Sequence, residues 1–209
     1  MRLYDYAASG NCYKVRLLFA LLGRDYERVP VDIFAGDTLT EAFARLNPAR
    51  ETPVLELEDG AVVTQSAAIL WLLAEGTPYL PGDALGRAQV VQWLCFEQER
   101  VMAGIGGARF RILTGRAPEL VPSRLELARS ALAMLGAQLT GRAFLVGDTA
   151  TIADVACFGY VHVAPDAGLE VPAAVAAWLD RVRALPGFVE DLVPYPANAR
   201  PGASRSIYD

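Results

Sequence analysis

Ser9, Asn11 and Cys12 place a hydroxyl, an amide and a thiol within four residues of the chain. They fall where a short apolar run, Leu3-Tyr4-Asp5-Tyr6, gives way to Val15, Leu18, Phe19 and Leu22. Those four apolar residues follow the i, i+3, i+4, i+7 spacing of a helix, and Gly23 is its stop signal. A strand-to-helix junction exposes free backbone N–H groups and the positive end of the helix dipole. Such a junction favours an anion, and in particular a thiolate.

Other reactive constellations are scarce. His162 is the single histidine, which argues against Ser-His or Cys-His hydrolysis, and its place on an apolar helix points to a structural role. Cys12, Cys95 and Cys157 are odd in number and widely spaced, so they form neither a disulfide framework nor a metal pattern. Nineteen Lys and Arg against 24 Asp and Glu leave a net charge of −5, which disfavours nucleic acid and anionic membranes as partners. With 53% hydrophobic residues the chain is not disordered. No signal-like or membrane-spanning apolar block is evident, so a cytoplasmic protein is expected.

The elements that must position the tetrapeptide change character along the chain. Tyr26–Val31 alternates as a second strand, residues 38–46 are weakly helical, and Asn47-Pro48 marks a turn. Residues 53–57 and 61–63 form two short strands joined at Asp59-Gly60, a strong hairpin signal. Ser66 then opens an apolar helix. The order βαβ then ββα predicts a small α/β domain with helices on one mixed sheet. After residues 78–83 strand signals vanish. Helical periodicity runs over 84–113, 122–140 and around Val175–Val182. Thr151 and Asp154 are spaced as a capping box, a folding device and not a catalytic aspartate. The tail from Pro194 is expected to lie over the surface without forming an element.

Four features in this order resemble the cytosolic glutathione transferase superfamily, and the resemblance spans nearly the whole chain. They are the first strand with Ser9 and its helix, Asn47-Pro48 leading to Thr52-Pro53-Val54-Leu55, Gln65-Ser66 opening a helix, and Gly147-Asp148-x-x-Thr151-Ile152-Ala153-Asp154. The N-terminal serine is similar to that of theta/zeta-like or nu-like bacterial members. The resemblance implies a thioredoxin-like domain over 1–77, a linker at 78–83, an all-helical domain over 84–209, and a homodimer. It also implies glutathione as co-substrate, with no metal.

By the same resemblance Pro53 follows a cis bond, Thr52 pairs its backbone with the cysteinyl part of glutathione, and Gln65-Ser66 hold the γ-glutamyl carboxylate. Ser9 donates a hydrogen bond to the glutathione sulfur. Lowering a thiol pKa by about two units takes about 2.7 kcal/mol. A hydrogen bond to a charged group supplies about 1.5–3 kcal/mol and a helix end about 0.3–1 more. Asn11 is the second candidate for this contact and Cys12 the third. Ser9-Gly10-Asn11-Cys12 also has the spacing of a thioredoxin-type dithiol, but with its first sulfur lost.

Where the family often places a base two residues before the cis-proline, this chain has Glu51, with Arg50 before it. Arg50 is then the candidate for the glycine carboxylate, and Lys14 and Arg16 lie near the site in sequence or solvate the first helix. Arg109 and Phe110, beyond Gly104, Gly106 and Gly107, are the candidates for the electrophile pocket, with Arg109 either binding an anionic substrate or pairing with an acid. The implied activity is conjugation of glutathione to small electrophiles, with peroxidase or disulfide-reductase activity as variants. The alternatives are a non-catalytic binding module of the same fold and a glutathione-dependent isomerase or lyase.

Overall fold

The computed structural model describes residues 1–203 and 205–208. The last residue of the expected helical domain, Asp209, lies outside them. β1 (Arg2–Asp5) leads into α1 (Gly10–Leu21), β2 (Glu27–Pro30) and a short α2 (Glu41–Leu46). β3 (Val54–Glu56), β4 (Val62–Thr64) and α3 (Ser66–Ala74) follow. The sheet order is β2-β1-β3-β4, with β1 parallel to β2 and antiparallel to β3, and β3 antiparallel to β4. The β3–β4 turn has the glycine that its Asp-Gly signal requires, Gly60 at φ +85°.

Among the described residues every later element is helical. α4 (Ala84–Phe96) runs into a π-helical stretch, Glu97–Gly106, and on into α5 (Gly107–Thr114). α6 (Val121–Leu139), α7 (Ile152–Val161) and α8 (Ala173–Arg183) complete the order. The fold is therefore a mixed sheet with helices followed by an all-helical unit. The expected single helix over 84–113 is instead interrupted. Gly104 lets the π stretch press on α6, where a Cβ would come within 2.7 Å of the Ala128 backbone nitrogen.

Two buried devices hold α1 against the rest. α7, buried along its whole length, packs across α1 and is started by the capping box. Thr151 accepts from the Ala153 N–H, while Asp154 accepts from the Thr151 N–H at 2.9 Å and from the Leu145 N–H and the Trp178 indole. On the other flank Arg16 donates to Asp5 at 2.6 Å and to Asp191 at 2.9 Å. The tail departs from the expectation. It forms a short 3₁₀ turn at Ala197–Ala199 and is tied down where Arg116 donates to the carbonyls of Ala199 and Tyr208.

Candidate functional site

α1 begins where the sequence places it. Ser9 is its N-cap, extended at φ −84° and ψ 123°, and its hydroxyl accepts from the Cys12 N–H at 3.3 Å. That bond uses the oxygen as acceptor, so the hydroxyl can still donate its proton. Asn11, one residue into the helix, has its amide oxygen 2.7 Å from Lys14 Nζ and 3.4 Å from Ser66 Oγ. The Thr52–Pro53 bond is cis. Gln65 stands at the start of α3 with φ +70°, a left-handed conformation that costs energy for a side chain other than glycine.

These residues converge. A cavity of about 480 Å³ between the sheet unit and the helices is lined by Ser9, Asn11, Arg50, Thr52, Pro53, Gln65, Ser66 and Phe110. Its polar lining comes from α1, the cis-proline loop and the start of α3, and its apolar and aromatic lining includes Met102, Phe110, Tyr195 and Tyr208.

Cys12 and Arg109, two of the expected site residues, do not line it. Cys12 is fully buried on the inner side of α1, where its sulfur accepts from the Tyr6 N–H at 3.4 Å. Burial pushes its thiol up to about 12, so the helix end does not generate a thiolate there. Arg109 is buried behind Tyr195, with its guanidinium 4.9 Å from the ring centre and 2.8 Å from Asp166. It is the acid-paired structural arginine of the two readings.

The basic residues near the site are also placed differently from expectation. Lys14 and Arg16 neither line the cavity nor solvate α1. Lys14 is fully buried 2.7 Å from Glu97, and Arg16 is held by Asp5 and Asp191. Burial pushes Lys14 down and Glu97 up, and their mutual attraction opposes both shifts. Arg50 does reach the cavity wall, but its guanidinium also donates to the carbonyls of Thr38 and Thr40. Glu51 lies beside it, 3.5 Å from the Gln65 amide.

Sequence reasoning missed Tyr6, Gln98, Met102, Arg111, Tyr160, Tyr195 and Tyr208. Part of the signal was present. Gln98, Met102, Gly106 and Phe110 recur every four residues. An α-turn carries a four-residue step slightly past one revolution, and the wider π-turn carries it slightly short. The mixed helix therefore keeps all four on the cavity face. Arg111 is one residue beyond. Its Nε is buried without a partner, and burial together with Arg124 pushes its pKa down. The tail tyrosines carry no local signal, because distant residues hold them.

Comparisons with known proteins agree with this geometry. The glutathione S-transferase N-terminal domain family matches residues 8–75, and the glutathione S-transferase C-terminal domain family matches residues 101–186. A glutathione S-transferase from Pseudomonas fluorescens superposes with a TM-score of 0.87 at 41% identity, covering 92% of this chain and 98% of that one. One from Xanthobacter autotrophicus gives 0.86 at 38% identity, covering 92% and 97%. Maleylacetoacetate isomerase from Pseudomonas aeruginosa is 37% identical over 94 residues, which is 43% of this chain and 44% of that protein. The match thus spans less than half the length of that curated relative. With both family domains in order and the fold shared along nine-tenths of its length, the chain belongs to the cytosolic glutathione transferase superfamily, a family of glutathione-dependent enzymes.

Proposed function

We propose that this chain binds glutathione against the polar lining of the cavity and adds its thiol to a small electrophile held against the aromatic lining. The observation that carries this reading is the convergence of Ser9, Asn11, Thr52, Pro53, Gln65 and Ser66 on one cavity from separate stretches of sequence. Ser9 donates its hydroxyl proton to the sulfur and favours the thiolate, helped by the N-terminus of α1. The backbone of Thr52 pairs with the cysteinyl unit. Gln65 and Ser66, the latter through its backbone N–H at the start of α3, hold the γ-glutamyl carboxylate. Arg50, on the cavity wall one residue before Glu51, takes the glycine carboxylate. The protein works as a homodimer. Exposed Leu72 on α3 and Leu85 and Val91 on α4 support an interface, since Arg87 of α4 already stacks on Trp71 of α3.

Glutathione is expected to raise the thermal midpoint at millimolar concentration. Ser9→Ala should lower kcat for an aryl halide by about ten- to hundredfold while leaving glutathione binding within about threefold. No thermal shift with glutathione would overturn the reading. Full activity in Ser9→Ala would overturn the role of Ser9.

A second reading, glutathione-dependent isomerisation of an unsaturated acid, is favoured by Arg111. It lines the cavity, and among the described residues it has no carboxylate within ion-pair distance. A panel pairing neutral and carboxylated electrophiles separates the two. Arg111→Gln should raise KM only for the carboxylated members if the second reading holds.

A further inference from the structure

Lys14 and Glu97 are fully buried, and the reading above gives neither a task. A buried ion pair adds little net stability over an apolar pair of similar volume. This one is nevertheless held closely. Glu97 accepts from Lys14 at 2.7 Å through one oxygen and from the Gln98 amide at 2.8 Å through the other. The lysine stem passes Gly159, where a Cβ would lie 2.5 Å from Lys14 Cγ. The ammonium sits 4.8 Å from the centre of the Tyr160 ring. Its other hydrogen bond runs to Asn11 Oδ1, also at 2.7 Å.

That contact settles which way the Asn11 amide points. An ammonium only donates, so the atom facing it is the amide oxygen. The Ser66 hydroxyl donates to the same oxygen. Nδ2 is left on the opposite side, and among the described residues it has no protein acceptor, although Asn11 lines the cavity. We infer that Lys14, anchored by Glu97, is a positioning residue that turns the Asn11 amide so that Nδ2 donates to the glutathione sulfur beside the Ser9 hydroxyl. The inference rests on the glutathione reading. The thiol proton leaves to water, and neither Lys14 nor Asn11 takes it. The ammonium also polarises the amide, which strengthens the N–H as a donor.

The test is the pH titration of the thiolate absorbance of enzyme-bound glutathione. Removing one charge alone would strand the other in the core, so both are replaced in Lys14→Met/Glu97→Gln. This variant should raise the pKa of the bound thiol by about one unit, cutting kcat near neutral pH about tenfold and shifting the pH profile upward. Glutathione affinity should stay within about threefold. Adding Asn11→Ala to it should cost nothing further, whereas Asn11→Ala alone should match the double variant. An unchanged thiol pKa in Lys14→Met/Glu97→Gln would overturn the inference. If that variant does not fold, Asn11→Leu decides. It is close in size and carries neither a donor nor a charge, so a thiol pKa as low as that of the parent would overturn the inference. Failure of the parent to bind glutathione would instead show that the underlying reading is wrong.

Discussion

His162 shows how one side chain sets a pH dependence for the whole protein. Its ring lies parallel to that of Phe158 with 4.9 Å between centres, and Nδ1 meets the Phe158 carbonyl at 2.6 Å. Burial lowers its pKa below the ordinary 6.5. The folded state therefore resists protonation more than the unfolded chain does. The stability it contributes is complete above about pH 6.5 and is lost as pH falls toward the lowered value. His162 pulls the thermal midpoint down between about pH 7 and 5, and His162→Gln should remove that contribution from the curve. With one histidine in the chain, the difference between the two curves belongs to this residue. Ser9 and its cap were legible in the sequence because a helix start is a local signal. The burial of Lys14 was not. Its partner Glu97 lies 83 residues away, and nothing near position 14 announces an ion pair.

At the scale of elements, the π stretch is the part that periodicity alone misplaces. Glu97–Gly106 sits where α4 would otherwise run straight into α5, and Gly104 presses its backbone against α6. Gly104→Ala would put a methyl within 2.7 Å of a backbone nitrogen that cannot swing aside. A loss of about 1–3 kcal/mol is expected, read as a lower midpoint in chemical denaturation. An unchanged midpoint would mean that the π stretch relaxes at no cost. The hairpin and the capping box were readable in advance because a turn glycine and a cap hydroxyl act within a few residues. Glycine content hinted at close packing along this helix. The sequence did not say that the neighbour would be α6 for Gly104 and Tyr160 for Gly106.

For the molecule as a whole, the tail supplies a wall of the cavity and not merely a surface trace. Tyr195 and Tyr208 flank Phe110, with ring centres 5.6 and 5.4 Å from it. A chain ending after Val193 should bind an aromatic electrophile about tenfold more weakly, because one to two aromatic faces leave the site. Its glutathione affinity should stay within about threefold, since Ser9, Thr52, Gln65 and Ser66 all lie outside the removed segment. Equal losses for both ligands, measured by calorimetry, would show that the tail supports the entire fold.

Tyr160 touches both halves of the molecule at once. A Cβ on Gly10, at the head of α1, would lie 2.4 Å from its ring, and one on Gly106, in the π stretch, would lie 2.7 Å away. The ring is a key cut for two locks. A chimaera joining this helical unit to a relative's sheet unit should seat only if that sheet unit keeps a glycine opposite the ring, where Gly10 stands here. Which halves can be exchanged among relatives is thus governed by one missing methyl group as much as by the residues that touch the ligand.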